Sequence, residues 1–215
     1  MDIDTKFTTK ISSSAKIIAK NLLQLGAVQL NTENLFTWAS GIKSPIYCDN
    51  RKINSDIEVR NIVANAFVKL ITDNFPNVEI IAGVATGGIP MGMLIADRMK
   101  LPFIYVRQIA KEHGLMKQVE GSYTPGSKVV LIEDLISTGG SSLKAVQGLR
   151  NENLELLSLI SIMTYGFQSA RQLFENEHIN QWSLCDLDAI IEVSHEMGSI
   201  SDADQDMIVE FKNAH

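Results

Sequence analysis

The residues from Val129 to Ser142, VVLIEDLISTGGSS, constrain the fold of this 215-residue chain more than any other segment. Four apolar residues precede two neighbouring acids, and a short turn of hydroxyl-bearing residues and glycines then leads into a helical pattern. An uninterrupted apolar run of this kind predicts a parallel strand that is buried on both faces. The turn then lies at the carboxyl end of that strand, the edge of an open α/β sheet where ligands bind.

The chemistry of this turn indicates a phosphorylated ribose. Glycines let the backbone approach an anion closely, and free amides at a helix start hold phosphate. The carboxylates of Glu133 and Asp134 are unsuited to phosphate alone, but they accept hydrogen bonds from ribose hydroxyls. The implied ligand is therefore a ribose 5-phosphate. A plain strand, turn and helix with a glycine cap stays open, whereas a receiver-type phosphoacceptor is disfavoured because its acids end two different strands.

Composition and charge exclude several classes of protein. With 45% hydrophobic and 20% charged residues, the chain is typical of a soluble globular protein, and its length predicts a single domain spanning residues 1–215. A net charge of −6 argues against a nucleic-acid partner. No apolar run approaches the roughly 20 residues that cross a bilayer, so we expect no membrane association. Cys48 and Cys185 are too few for a disulfide framework, which favours a cytoplasmic location.

Helices and strands are predicted to alternate around the opening motif. We expect an α/β core from about residue 55 to 170, with a parallel sheet and helices on both faces, and a small hood formed by about residues 1–50. The residues from Ser55 to Glu58 are typical of a capping box. Residues 107–123 show neither helical nor strand periodicity and are predicted to form a long loop or a hairpin. The predicted helices are 14–25, 55–74, 89–99, 141–151 and 168–175, and the predicted strands of the sheet are 78–85, 102–106, 128–132, 156–163 and 182–185.

A second glycine turn, Thr86-Gly87-Gly88, follows the apolar strand that ends at Ala85. Alone it is a weak signal, because tight turns between a strand and a helix commonly contain glycine. Beside the first motif it gains weight, since two such turns at one sheet edge provide places for two phosphate groups, a 5-phosphate and a diphosphate.

The long loop contains Arg107, Lys111 and His113, with glycines at Gly114 and Gly121. Charged loop residues are most often simply solvated, and that explanation stays open for this segment. The alternative is a loop that closes over the site and excludes water. Its two cations and its histidine would then neutralise the charge that develops on a departing diphosphate.

Four segments, in order, resemble the type I phosphoribosyltransferases and, among them, the orotate phosphoribosyltransferases. The opening motif resembles the phosphoribosyl-diphosphate signature of the wider group, and the turn at Gly87 resembles its diphosphate loop. Residues 36–51, FTWASGIKSPIYCDNR, resemble the base-binding segment of the orotate enzymes, and residues 105–114, YVRQIAKEHG, resemble their catalytic loop. The resemblance covers about residues 15 to 170.

This resemblance implies the α/β fold of the type I phosphoribosyltransferases, a parallel sheet flanked by helices with a small N-terminal hood. It implies a Mg²⁺-dependent transfer of the phosphoribosyl group from 5-phosphoribosyl 1-diphosphate to orotate, which yields orotidine 5′-phosphate and diphosphate in pyrimidine (UMP) biosynthesis. Mg²⁺ would be bound mainly through phosphoribosyl diphosphate, with no direct protein ligand. A homodimer is also implied, because in this family the loop serves the active site of the neighbouring subunit.

The resemblance also implies roles for individual residues. Glu133 and Asp134 would hold the ribose hydroxyls, and Lys111 would be the main catalytic residue, assisted by Arg107 and His113. The full set implied to bind phosphoribosyl diphosphate is Thr86, Gly87, Arg107, Lys111, His113, Glu133, Asp134, Leu135, Ile136, Ser137, Thr138, Gly139, Gly140 and Ser141. The set implied to bind orotate is Ser40, Lys43, Tyr47 and Ser137.

Three departures from the family pattern indicate a subgroup with fewer basic ligands. Some members carry a lysine where this chain has Ala39, a second basic residue where it has Gln108, and an arginine where it has the sequence 164–166, Thr-Tyr-Gly. Lys43 and Arg51 remain the candidates for the contact with the orotate carboxylate.

Other functions stay open from the sequence. A transferase of the same fold for uracil, adenine or another base is disfavoured by residues 36–51. A non-catalytic regulator that binds phosphoribosyl diphosphate and a macromolecule is disfavoured by the absence of a basic surface or an added domain, and by the intact charged loop. A complex with the next enzyme of the pathway is compatible with the chain.

Overall fold

The computed structural model describes residues 12–38, 41–108 and 117–215. In chain order the strands are β1 (Val28–Leu30), β2 (Phe36–Thr37), β3 (Lys43–Ser44), β4 (Ile46–Cys48), β5 (Ile80–Val84), β6 (Phe103–Val106), β7 (Val119–Glu120), β8 (Lys128–Ile136), β9 (Glu155–Thr164) and β10 (Gln181–Asp186). The helices are α1 (Ser13–Gln24), α2 (Ile57–Asn74), α3 (Gly88–Met99), α4 (Gly140–Asn151), α5 (Gln168–Asn176), α6 (Leu187–Glu196) and α7 (Asp202–Asn213), with a 3-10 helix over Asn50–Ser55.

A mostly parallel sheet forms the centre of the molecule, as the alternation of elements predicts. Among the described residues it has six strands in the order β10-β9-β8-β5-β6-β7, and β7 runs antiparallel to β6. Two small antiparallel pairs, β1 with β4 and β2 with β3, lie in the N-terminal region. This parallel sheet with flanking helices agrees with the fold that the resemblance implies, whereas the boundary of the hood stays a prediction.

Helices cover both faces of the sheet, which is why the central strands are apolar throughout. Along β8, Val129 and Leu131 pack in a cluster with residues of α4 and α5. Val130 and Ile132 pack on the opposite face with residues of α1, α2, α3 and α6. This alternation follows from the period of two in a strand, and burial on both faces confirms the prediction made from the apolar run.

Strand β8 is longer than its apolar run predicts. It pairs with β9 as far as Ile136, opposite Thr164, so Glu133 and Asp134 lie inside the strand rather than in the turn after it. The predicted end of this strand at residue 132 is therefore wrong. The reason is that the ladder hydrogen bonds of the main chain continue past the point where the side chains stop being apolar.

The charged loop leaves the sheet through a paired neck. Main-chain Arg107 N donates to Gln118 O over 2.9 Å, and β6 pairs with β7 immediately below it. Of the two forms predicted for this segment, the hairpin is the one found at the neck. Lys111 and His113 lie within residues 109–116, outside the described part of the chain.

Helix α2 begins one residue later than the predicted capping box. Its N-cap is Asp56, whose carboxylate accepts a hydrogen bond from Val59 N over 2.9 Å, and Ser55 ends the preceding 3-10 helix. A capping box is present instead at α7, where Ser201 and Asp204 bond reciprocally. Among the described residues, no helix combines the length and apolar character that crossing a membrane requires.

The corrected N-cap predicts a difference between two neighbouring alanine substitutions. Asp56→Ala should lower the free energy of unfolding by about 1 kcal/mol, because an amide at the start of α2 loses its acceptor. Ser55→Ala, at an exposed position, should stay within about 0.5 kcal/mol of the parent protein. Urea unfolding of both variants measures this difference. A larger loss of unfolding free energy for Ser55→Ala would indicate that Ser55 is the N-cap, as the predicted capping box has it.

Candidate active site

Two helix N-termini lie side by side at the carboxyl edge of the sheet. Strand β5 leads into α3 through Gly87, and β8 leads into α4 through Gly139. These two strands are parallel neighbours, so their carboxyl ends share one edge. Each helix has a glycine N-cap, and neither has a side-chain cap among the described residues. Amides of the first turns are therefore available to an anion at each position.

Close approach of the first turn to β8 requires glycine. A Cβ added to Gly87 would lie 2.3 Å from the carboxylate carbon of Asp134, and one added to Gly88 would lie 2.2 Å from the main-chain oxygen of Ile132. The peptide bond between Ala85 and Thr86 is cis. Thr86 itself is exposed. The structure thus brings Gly87 of the second glycine turn directly beside Asp134 of the opening motif.

The two acids of the motif occupy different environments. Glu133 is buried, and its carboxylate accepts from Asp134 N over 3.0 Å and from Ser142 Oγ over 3.4 Å. Burial, and next the neighbouring Asp134, raise the pKa of the Glu133 carboxyl well above its usual range. Asp134 is half-buried and accepts from Leu135 N over 2.9 Å. Asp134 is consequently the more accessible of the two acids predicted to meet the ribose.

The turn before α4 places its polar groups outward. Thr138, Gly140 and Ser141 are exposed, and Ser137 is half-buried. Gly139 has a φ of +81°, a conformation that favours glycine. These residues form the predicted phosphate turn with accessible amides and hydroxyls.

Two residues of the predicted set lie inward of this turn. The side chain of Ile136 is buried in the core, and its carbonyl oxygen accepts from Tyr165 N over 3.0 Å. Leu135 is half-buried against the opposite cluster. The structure therefore uses both side chains for packing, and a role for either one in ligand binding stays a prediction.

The stem of the charged loop is anchored at the same sheet edge. Gln108 Nε2 donates to Ala85 O over 3.4 Å, in the turn before α3. The guanidinium of Arg107 lies 3.7 Å from the carboxylate of Glu120 on β7. The described stem of the charged loop therefore contacts Ala85, directly before the second glycine turn.

The predicted orotate residues are spread over the N-terminal region. Ser40 lies outside the described residues. Lys43, on the β2–β3 pair, is exposed and donates to Thr37 Oγ1 over 2.6 Å. Tyr47 is 38% exposed, and its ring centroid lies 5.6 Å from that of Phe36. These contacts place Lys43 and Tyr47 on neighbouring small strands, without deciding which of them meets a ligand.

Arg51, the second candidate for the orotate carboxylate, forms a bidentate pair with Asp49 over 2.6 and 3.0 Å. These bonds, followed by the charges of Tyr47 and Asp134, raise the pKa of the guanidinium. The guanidinium of Arg51 is therefore already paired with a carboxylate of its own segment.

Asn50 is a site residue that the sequence did not single out. It is 3% exposed, and its Nδ2 donates to the main-chain oxygen of Asp134 over 2.7 Å. Its Oδ1 is buried and has no partner among the described residues, which is unusual for a native protein. No sequence signal distinguishes it from an ordinary turn asparagine, because its partner lies 84 residues away along the chain.

The buried Glu133 carboxyl predicts a pH-dependent stability. Its folded-state pKa is raised, so the stability it contributes is fully present below the unfolded value of about 4.3 and is lost as pH rises through the folded-state value. The side chain in Glu133→Gln is neutral at every pH. This variant should therefore have a higher free energy of unfolding than the parent protein at pH 8, and the difference should be smaller at pH 5. Urea unfolding across this range measures the difference, with exposed Glu155→Gln as the control. A pH-independent difference for Glu133→Gln would contradict the assignment.

Known proteins resemble this chain in sequence and in structure. A family model described as the phosphoribosyl transferase domain matches residues 53–194. Orotate phosphoribosyltransferase of Porphyromonas gingivalis is 46% identical over 199 residues, covering 93% of this chain and 95% of that protein. The crystal structure of orotate phosphoribosyltransferase from Aeropyrum pernix matches with a TM-score of 0.73 and 27% identity, over 86% of this chain and 99% of that one.

The UMP synthase of Leishmania donovani matches with a TM-score of 0.78 and 24% identity, over 94% of this chain and 42% of that one, and so shares the fold. With a domain match over residues 53–194 and close relatives along nearly its whole length, this chain belongs to the orotate phosphoribosyltransferase family.

Proposed function

We propose that the chain transfers the phosphoribosyl group from 5-phosphoribosyl 1-diphosphate to orotate, giving orotidine 5′-phosphate and diphosphate in UMP biosynthesis. The observation that carries this proposal is the pair of uncapped helix N-termini with Asp134 between them. The substrate has a ribose with a phosphate at one end and a diphosphate at the other. Its two anionic groups match the two helix N-termini, and its ribose hydroxyls match the carboxylate of Asp134. The free thiols of Cys48 and Cys185 support a cytoplasmic location.

Each part of the sugar substrate has a matching group. The 5-phosphate binds the turn from Ser137 to Ser141, and the diphosphate binds Thr86 and Gly87. Asp134 accepts from the ribose hydroxyls, since it is the more accessible acid. Glu133 fixes the carboxyl end of β8 from its buried side, because its carboxylate accepts hydrogen bonds from Asp134 N and from Ser142 at the start of α4.

The donor chemistry at this edge fits Mg²⁺, which prefers carboxylate, hydroxyl and phosphate oxygens. The ion would be bound mainly through phosphoribosyl diphosphate, and Asp134 would orient the ribose hydroxyls of that substrate. When bound, Mg²⁺ neutralises charge on the diphosphate. The protein itself holds the ribose and both phosphate groups in fixed positions, which removes the entropic cost of orientation from the chemical step.

The reaction breaks the bond between the anomeric carbon and the diphosphate oxygen and forms a bond from that carbon to a ring nitrogen of orotate. Positive charge develops on the sugar and negative charge on the diphosphate, as in glycoside cleavage. Arg107, Lys111 and His113 supply positive charge to the leaving diphosphate, and Lys111 is the main catalytic residue. No protein nucleophile is required.

Orotate lies against the N-terminal segment, near Tyr47 and Ser137, with Ser40 and Lys43 at its margin. Lys43 and Arg51 are both candidates for its carboxylate: Lys43 donates to Thr37, and Arg51 is paired with Asp49. The planar fork of arginine also suits a carboxylate.

A homodimer with shared active sites follows from the proposed role of the loop. The support for this proposal is the resemblance of residues 105–114 to the catalytic loop of the family, which serves the active site of the neighbouring subunit.

The first test is an assay of orotate consumption with phosphoribosyl diphosphate and Mg²⁺, run in parallel with uracil, adenine and hypoxanthine. We expect loss of orotate alone, abolished by chelation of the metal. Consumption of another base would reassign the substrate. Binding of phosphoribosyl diphosphate with no base consumed would replace the proposal with a regulator.

Subunit mixing tests the shared site. Lys111→Ala and Asp134→Ala should each lose nearly all turnover while remaining folded. After exchange of equal amounts, half of the dimers are mixed and each has one intact site, so about a quarter of the wild-type activity should return. Lys111→Ala mixed with Arg107→Ala is the matched control, since every loop then carries a defect and no activity should return. Proven exchange without recovery in the first mixture would exclude the shared site.

A further inference from the structure

Helix α7 packs against Trp38, and both lie outside the residues that match the family model. That match covers residues 53–194, so it includes neither the N-terminal segment around Trp38 nor helix α7. The resemblance seen in the sequence likewise ends near residue 170. Yet the side chains of α7 pack directly on Trp38, within the segment proposed to receive orotate.

Trp38 is the link between α7 and the base-binding segment. One face of its indole stacks on Tyr165, with ring centroids 5.0 Å apart and planes 12° from parallel. Phe211 of α7 meets the indole edge-on, at 5.9 Å and 88°. Its Nε1 donates to the main-chain oxygen of Ile46 over 3.0 Å, directly before Tyr47. The indole thus transmits the position of α7 to the backbone of β4.

Helix α7 is itself held from three sides. Lys212 Nζ lies 2.6 Å from both carboxylate oxygens of Asp188 on α6. Thr32 Oγ1 donates to Asp204, at the start of α7. At the other end, His215 O accepts from Ser169 N over 3.2 Å and so serves the first turn of α5, which has no side-chain cap among the described residues.

Further aromatic contacts hold the C-terminal end of α7. The His215 ring lies 4.6 Å from that of Phe211 and stacks on Phe167 at 5.2 Å, and Phe167 is itself 6.1 Å from Trp38. Such ring pairs stabilise a structure by more than the burial of their apolar area alone provides. The cluster of Trp38, Tyr165, Phe167, Phe211 and His215 is therefore one packed unit, which we call the aromatic cluster.

We propose that α7 is a positioning element for recognition of the base. Phe211 holds the indole of Trp38 against Tyr165, and Trp38 in turn holds the main chain of Ile46 and Tyr47 in the geometry that orotate requires. This inference rests on the proposed function, because it takes residues 36–51 as the orotate segment. Phosphoribosyl diphosphate binds at the sheet edge, where α7 makes none of the contacts described above.

We expect a change at Phe211 to alter the KM for orotate but not the KM for phosphoribosyl diphosphate. Phe211→Ala should raise the KM for orotate about tenfold, since loss of the ring contact releases Trp38, and should leave the KM for phosphoribosyl diphosphate within about twofold. Phe211→Tyr keeps the ring and should restore the KM for orotate. Steady-state kinetics with each substrate varied in turn measures both constants.

Ile208→Ala is the matched control. Ile208 is fully buried on the same helix but has no ring to place against Trp38. This variant should lose stability on unfolding, as core truncations do, while its KM for orotate stays within about twofold of wild type. The proposal is overturned if Phe211→Ala and Ile208→Ala both raise the KM for orotate and the KM for phosphoribosyl diphosphate by equal factors. A general loosening of the fold would then explain the effect. Should Phe211→Ala fail to fold, Phe211→Leu replaces it, with the same split expected.

A spectroscopic readout separates this inference from the proposed function. The chain has two tryptophans, so Trp182→Phe leaves Trp38 as the single reporter. In that background, Phe211→Ala should shift the emission of Trp38 and Ile208→Ala should not, whether or not orotate is consumed. An unaltered emission overturns the coupling between α7 and Trp38. If wild type consumes no orotate, the proposed function fails instead, and the emission result still decides the coupling.

Discussion

The parallel pairing of β5 with β8 is the constraint on which the rest of the site depends. It sets two strand ends at one edge and brings the start of α3 against the main chain of β8, so close that a Cβ at Gly88 would lie 2.2 Å from Ile132 O. With that spacing, Asp134 lies against Gly87 and between two helix N-termini. Backbone amides are then available to an anion on both sides of a carboxylate, and neither of the two described turns carries a basic side chain.

Local environment gives two adjacent acids different properties. Glu133 faces the packed side of β8 and has a raised pKa because of burial, whereas Asp134 faces the open edge. Asn50 fixes the same strand end from the hood by bonding Asp134 O. A buried carboxyl and a buried amide thus hold the backbone that presents the half-buried carboxylate of Asp134, which is the arrangement expected where geometry must be held accurately.

Chemistry and selectivity are assigned to different parts of the chain. The sheet edge, within the matched residues 53–194, is proposed to make the phosphate and ribose contacts. The proposed base segment lies before it along the chain, and Phe211 of α7, which lies after it, packs on Trp38 of that segment. Neither the base segment nor α7 takes part in the pairing of β5 with β8, so the two proposed tasks are separate in the structure.

Sequence alone determined the fold class, the order of the main helices and strands, and the position of both glycine turns, because periodicity and glycine placement are local properties of the chain. It misplaced the end of β8 and the cap of α2, where ladder bonds and a single carboxylate decide the boundary. Tertiary structure decided the contact of Asn50 with Asp134 and the packing of α7 on Trp38. Both join residues far apart along the chain, and no local pattern records which distant groups the folded sheet brings within bonding distance.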